Sequence, residues 1–302
     1  MANPNLLSPN SRTAAEAAWE RAQAKREAWP FGSSATYQSL GAASLHTLDA
    51  AVVRAKEQGA AGFNGLDGIT NPETRKLFKR DLEDYKTIFA GAGIDMPTPA
   101  ELAEGGIDFG RLAELKETLP EYDLVVAPLT LPLDSVRQLV STVARDETVP
   151  NNPLGIVQPQ TREKSDGLFA ESEVADCWDR MINNTVAYWG LPIVEDDYKW
   201  TAFLLLNNDD RDGLIPYEQA MKEGRMPTPV TSYIAYQLHR IHQAMSPMDS
   251  KEWVITSNEL ASSEGSASVL KSCFSNFGSD IMIRCTSIEF AKISVKVRPL
   301  VG

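Results

Sequence analysis

FSNFGSDIMIRCTSIEFAKISVKVRP, residues 274–299, decides how the rest of this chain is read. Ile281 and Ile283 alternate with Asp280, Met282, Arg284 and Thr286, and the same period of two returns at Val295 and Val297. Successive side chains of a strand point to opposite faces, so the spacing predicts a β-ribbon with these isoleucines and valines turned toward a core. The opposite face carries an acid, a thioether, a guanidinium and a hydroxyl in turn. An orderly inner face lies under a haphazard outer one.

Upstream of the ribbon the chain alternates strand-like and helical stretches. AYWGLPIV, WTAFLLL and EWVI are short β-type runs. SEVADCWDRMIN and TPVTSYIAYQLHRIHQAM are helical, the second with a stripe of Ile234, Leu238, Ile241 and Met245. VPNNPLGIVQPQTREKSDG, beginning at Val149, is a Pro/Asn-rich connector. Before it the punctuation is that of a mostly α module over residues 1–148. Ser11 and Ser44 are candidate caps, Asn71 and Pro72 open a helix with a Leu77, Leu82, Tyr85, Phe89 stripe, and Thr98 and Glu101 have capping-box spacing. Further helices are expected near 109–118 and 133–145, with YDLVVAPL a brief apolar stretch between them. The fold class is therefore α+β: a helical module over 1–148 followed, over 149–302, by two helices packed on short, mainly antiparallel strands.

Composition narrows the function. The 302 residues carry 41 acidic and 29 basic side chains for a net charge of −12, which argues against a role that neutralises phosphates over a broad surface, so no nucleic-acid partner is expected. The first residues, MANPNLLSPNSRTAAEAAW, show no basic segment followed by an apolar run, and no apolar stretch reaches about 18 residues, so neither a signal peptide nor a membrane span is expected. Cys177, Cys273 and Cys285 have no metal-type spacing and suit a reducing compartment. Cytoplasmic synthesis follows, and a virion-associated protein would share these properties.

Motif chemistry is sparse. NNDDRDGLIPYEQ places Asn208, Asp210, Asp212, Gly213 and Ile215 at calcium-loop spacing, but the position of the bidentate Glu holds Gln219 and Pro216 obstructs the exiting helix, so an acidic surface turn is the better reading. His239 and His242 can share a helix side, but that helix offers no carboxylate or thiol at a matching offset. They read as two half-exposed histidines flanking the apolar stripe. Ser268 and Lys271 form Ser-x-x-Lys without its companion motifs, and no P-loop, Gly-x-Ser-x-Gly or dinucleotide fingerprint occurs. No cofactor, metal or catalytic residue is assigned.

The helix SEVADCW, a strand, an acidic loop, a second helix, DSKEWVI and a ribbon through Gly278 into VKVRPLV together resemble the C-type lectin fold. The likeness is to its formylglycine-generating-enzyme-like branch, and within that to the variable proteins of diversity-generating retroelements. Lys296 stands where many of those proteins have Gly, and the ribbon lacks their common Trp and Tyr. In that family an error-prone copy made at template adenines replaces the gene's 3′ end, so fixed residues build the fold while scattered outward ones vary. Codons AAC and AAT mutated at adenine exclude Met, Glu, Lys, Gln and Trp, and across 272–290 Met282 and Glu289 alone fall outside that set.

The resemblance implies a receptor- or adhesion-type binding protein whose partner is a protein or other macromolecule on a host or neighbouring cell surface. Its expected variable face is Ser272, Phe274, Asn276, Asp280, Met282, Arg284, Thr286, Ser287, Glu289 and Phe290. The alternative within the same fold is a formylglycine-generating or sulfatase-modifying enzyme, which requires Cys273 and Cys285 to act as a reactive pair.

Overall fold

The structure, a computed structural model, describes residues 65–155, 167–170, 174–175, 178, 200–207, 213–223, 227–250, 252–256, 260–261, 267–275, 279–287, 289–291 and 295–302. The helices expected after Ser11 and Ser44, the run AYWGLPIV, Asn276 and the acidic loop at 208–212 lie outside the described residues. In chain order the elements are α1 (Pro72–Gly91), α2 (Pro99–Glu104), α3 (Phe109–Thr118), β1 (Tyr122–Pro128), α4 (Leu133–Ala144), β2 (Leu168–Ala170), β3 (Trp200–Leu206), β4 (Ile215–Pro216), α5 (Tyr217–Lys222), α6 (Val230–His242), β5 (Val254–Ile255), β6 (Leu260–Ala261), β7 (Ala267–Ser275), β8 (Asp280–Ser287), β9 (Lys296–Val297) and β10 (Leu300–Val301). The class is α+β.

The helix starts are chemically specified. The Asn71 side chain accepts from the Glu73 amide at 2.9 Å, and Pro72 occupies a position whose N–H a helix does not use. Thr98 and Glu101 close a reciprocal capping box, the Glu101 carboxylate accepting from the Thr98 amide at 2.7 Å and Thr98 Oγ1 from the Glu101 amide at 3.3 Å. The buried side of α1 carries Phe78, Leu82, Tyr85 and Phe89. Leu77, expected on that stripe, is only partly buried because the 4-3-4 spacing from Phe78 follows the helical turn more closely.

YDLVVAPL is a strand, and its place ties the two halves together. β1 pairs antiparallel with β3 from Tyr122 opposite Leu206 to Pro128 opposite Trp200, and β10 joins β3 on its other side. Residues on either side of position 148 thus share a sheet, and the largest cluster of buried side chains runs from Leu66 to Ile283. The second sheet has the order β2-β8-β7-β5-β9-β4, with β6 added beside β7. β7–β8, β5–β7 and β4–β9 are antiparallel, while β2–β8 and β5–β9 are parallel, so this sheet is mixed.

α6 packs against β1, α1 and α4, and every residue from Val230 to Ile241 is buried. The expected single stripe is therefore replaced by burial on all sides, and Met245, beyond the helix end, is 38% exposed. Its longer buried polar side chains are bonded, while the Thr231 and Ser232 hydroxyls have no partner among the described residues: the Gln237 amide donates to Tyr233 Oη at 2.7 Å and to the Met248 carbonyl at 3.0 Å, and accepts from the Met248 amide at 2.9 Å. Tyr236 Oη donates to Asp123 on β1 at 2.8 Å. Among the described residues no helix is long and apolar enough to cross a membrane.

Between β9 and β10 the chain passes from one sheet to the other at Arg298, which is 1% exposed. Its guanidinium pairs through two nitrogens with the equally buried Asp249 carboxylate, and Nη1 donates to the Leu206 carbonyl of β3 at 2.8 Å. Removing one partner strands a buried charge, so Arg298→Met is expected to cost about 3–5 kcal/mol, read from the denaturation midpoint. The double variant Arg298→Met/Asp249→Asn, which removes the charge and keeps a residue suited to the left-handed backbone at position 249, is expected to recover part of that loss.

Candidate functional site

β7 and β8 are the longest paired strands of the second sheet, and their register sorts every side chain of the ribbon. Phe274 lies opposite Ile281, Ser272 opposite Ile283 and Leu270 opposite Cys285, all on the face that joins the main core. Cys273 opposite Met282, Lys271 opposite Arg284 and Val269 opposite Thr286 form the other face. Asp280, Met282, Arg284 and Thr286 alternate with the buried Ile281 and Ile283, and Ser287, Glu289 and Phe290 are exposed at the strand end.

Two of the expected face residues are not on it. Ser272 is fully buried, its Oγ 2.7 Å from Thr256 Oγ1, and Phe274 is 3% exposed in the main core. In SVLKSCFS apolar residues occur at both parities, Val269 and Cys273 on one and Leu270 and Phe274 on the other, so alternation does not fix the facing of β7. Pairing with β8 does.

The outer face has two parts. Ile255 and Val269 pack with Tyr217, Ala220, Ala291, Val295 and Val297 into a second, smaller core, so Val295 and Val297 are buried as expected but beneath α5. Beside it Phe169, Arg284, Trp253, Lys271 and Phe290 alternate ring and cation. The Arg284 guanidinium lies 5.8 Å from the Phe169 ring and 5.5 Å from that of Trp253, and Lys271 Nζ lies 4.9 Å from Trp253 and 5.0 Å from Phe290. Phe169 and Phe290 are 44% and 53% exposed. Phe169 arrives on β2, opposite Met282, and Trp253 immediately precedes β5.

Such an arrangement holds two cations in place by ring quadrupoles and offers apolar ring faces around them, suiting a partner with carboxylates set among apolar groups. The sequence reading missed Phe169, Trp253 and Lys271. Their signal is in register: Lys271 is the cross-strand neighbour of Arg284.

The cysteines of the enzymatic alternative separate. Cys273 lies on the outer face and Cys285 on the inner, at different steps of the register. Burial first, and then the nearby Asp249 carboxylate, pushes the Cys273 thiol up to about 12.

The histidines also depart from expectation. His239 is buried, not half-exposed, and stacks on Tyr85 with ring centroids 4.4 Å apart. The carboxylates missing from its own helix come from α1: His239 Nε2 lies 3.6 Å from Asp84 and 3.9 Å from Asp81, and His242 Nε2 lies 3.9 Å from Asp84. The nearby His239 ring, joined by the hydrogen bond from Gln243, holds the Asp84 carboxyl below its ordinary range despite partial burial.

Comparison of the chain with family models, curated proteins and solved structures finds no match.

The two-faced ribbon sets a direct expectation. Met282→Ser on the outer face should change stability by no more than about 0.5 kcal/mol, whereas Ile283→Ser one residue on should cost about 3–5 kcal/mol; paired urea titrations check this. Thiol labelling of the native protein should leave Cys273 unreacted well above the ordinary cysteine range, with reaction following unfolding.

Proposed function

We propose that this chain is a ligand-binding protein of the diversity-generating-retroelement type, presenting variable side chains on a C-type-lectin-like scaffold to a macromolecule on a host or neighbouring cell. The observation that carries the reading is the division of labour on β7–β8. One face is buried by Phe274, Ile281 and Ile283, and the other presents Lys271, Met282, Arg284 and Thr286 beside the rings of Phe169, Trp253 and Phe290. Exchanging outward residues leaves the packed face intact, so binding can change while folding does not. Little ordering entropy is lost when a partner meets side chains already held on a paired sheet.

The contact set under this reading is Lys271, Asp280, Met282, Arg284, Thr286, Ser287, Glu289 and Phe290, with Ser272 and Phe274 reassigned to the fixed scaffold. Lys271 and Arg284 would meet acidic groups of the partner, and the rings its apolar ones.

Deep sequencing of the gene's 3′ end and downstream flank from the source population tests this. The expected result is substitution at these outward positions, at codons whose counterparts in an unvaried near-copy of the segment carry adenine, with Ser272, Phe274, Ile281 and Ile283 unvaried. A uniform 3′ end without a near-copy would overturn the reading.

A further inference from the structure

Away from the ribbon, α1 and α6 bring together two side-chain pairs, each three residues apart: Asp81 with Asp84, and His239 with His242. One ligand atom from each of Asp81, Asp84 and His239 lies within 4.8 Å of the others, with Asp81 and His239 buried and Asp84 half-buried. His242 adds a second imidazole on the Asp84 side at 3.9 Å. We propose that Asp81, Asp84, His239 and His242 form a binding site for a divalent transition-metal ion between α1 and α6.

The polar atoms of the two helices converge on one point. Gln243 Nε2 lies 2.9 Å from Asp84 Oδ2, 3.3 Å from Asp81 Oδ1 and 3.1 Å from His239 Nε2. Two carboxylates and an imidazole thus meet around a single amide and offer a cation oxygen and nitrogen donors. Turning the Gln243 amide over replaces its NH2 with its carbonyl oxygen and makes it a further ligand. Arg80 donates to Asp81 Oδ1 at 2.8 Å from a side chain 59% exposed, the kind of outer contact that orients a ligating carboxylate.

The donor set selects the ion. Two carboxylates and two imidazoles suit Zn2+, Co2+, Mn2+ or Fe2+; the absence of thiolate from the cluster disfavours Cu+, and imidazole disfavours Mg2+ and Ca2+. The helices are held independently of any ion. Tyr85 Oη donates to the Leu124 carbonyl at 3.2 Å, and Phe89 meets Trp200 edge-on at 5.0 Å. The site is thus positioned before binding, and the ion would staple α1 to α6.

The test uses the full chain stripped with chelator. Co2+ titration followed by visible d–d absorption, and Zn2+ titration by calorimetry, should each give one equivalent, with Zn2+ displacing Co2+. Zn2+ at a hundredfold excess over its Kd should raise Tm by roughly 4 °C, and Mg2+ should leave Tm unmoved. Asp84→Asn and His242→Ala, both at half-buried positions and checked for native circular dichroism, should each weaken Zn2+ binding at least tenfold. No stoichiometric Co2+ or Zn2+ binding by the wild type would overturn the site. So would binding unchanged in both variants, which would place the ion elsewhere.

Discussion

The ion pair of Arg298 and Asp249 is the constraint on which the layers depend. Arg298 occupies the step between β9 in one sheet and β10 in the other, and its guanidinium reaches the Leu206 carbonyl at the end of β3. Asp249 sits in the left-handed region with φ of 57°, and its carbonyl accepts from the Phe274 amide of β7 at 3.4 Å. One buried pair thus joins β3, the loop after α6, and the strand that carries the ribbon. Burying both charges is tolerable because the contact is bidentate and the remaining guanidinium capacity goes to a backbone carbonyl.

The loop that bears Asp249 is fixed from the α6 side. Gln237 bonds both the amide and the carbonyl of Met248, and Arg240 donates to the Ser246 carbonyl at 2.9 Å. The buried helix therefore sets the loop, the loop sets Arg298, and Arg298 sets the spacing of the sheets. The outer face of β7–β8 lies at the end of that chain of contacts and contributes little to it. Its side chains can be exchanged at low cost because packing is completed on the other face and beneath α5.

Much of this was legible in the sequence where local chemistry is decisive. The caps at Asn71 and Thr98 act within three residues, and the period of two in β8 needs no partner to reveal it. What was illegible depends on distant pairing. β1 looked like an interlude between helices because its partner, β3, lies some eighty residues on. Ser272 and Phe274 were set on the wrong face because β7 is apolar at both parities and takes its facing from β8. Phe169 and Trp253 join Lys271 and Arg284 from separate segments, and the carboxylates near His239 belong to α1, so a search of its own helix does not find them. Conversely, α6 reads as amphipathic yet is buried all round, since Gln237, His239 and Arg240 satisfy their polar groups internally.

Locked at Arg298, the two sheets form one cooperative unit. Native-state hydrogen exchange tests it most directly, comparing the wild type with Arg298→Met at the amides of Leu204 and Leu205 in β3 and of Ile281 and Ile283 in β8. All four are expected to share one opening free energy in the wild type and to lose protection together in the variant. Full retention of protection in β8 while β3 opens would contradict it, leaving the sheets as separate units with the ribbon stable on its own.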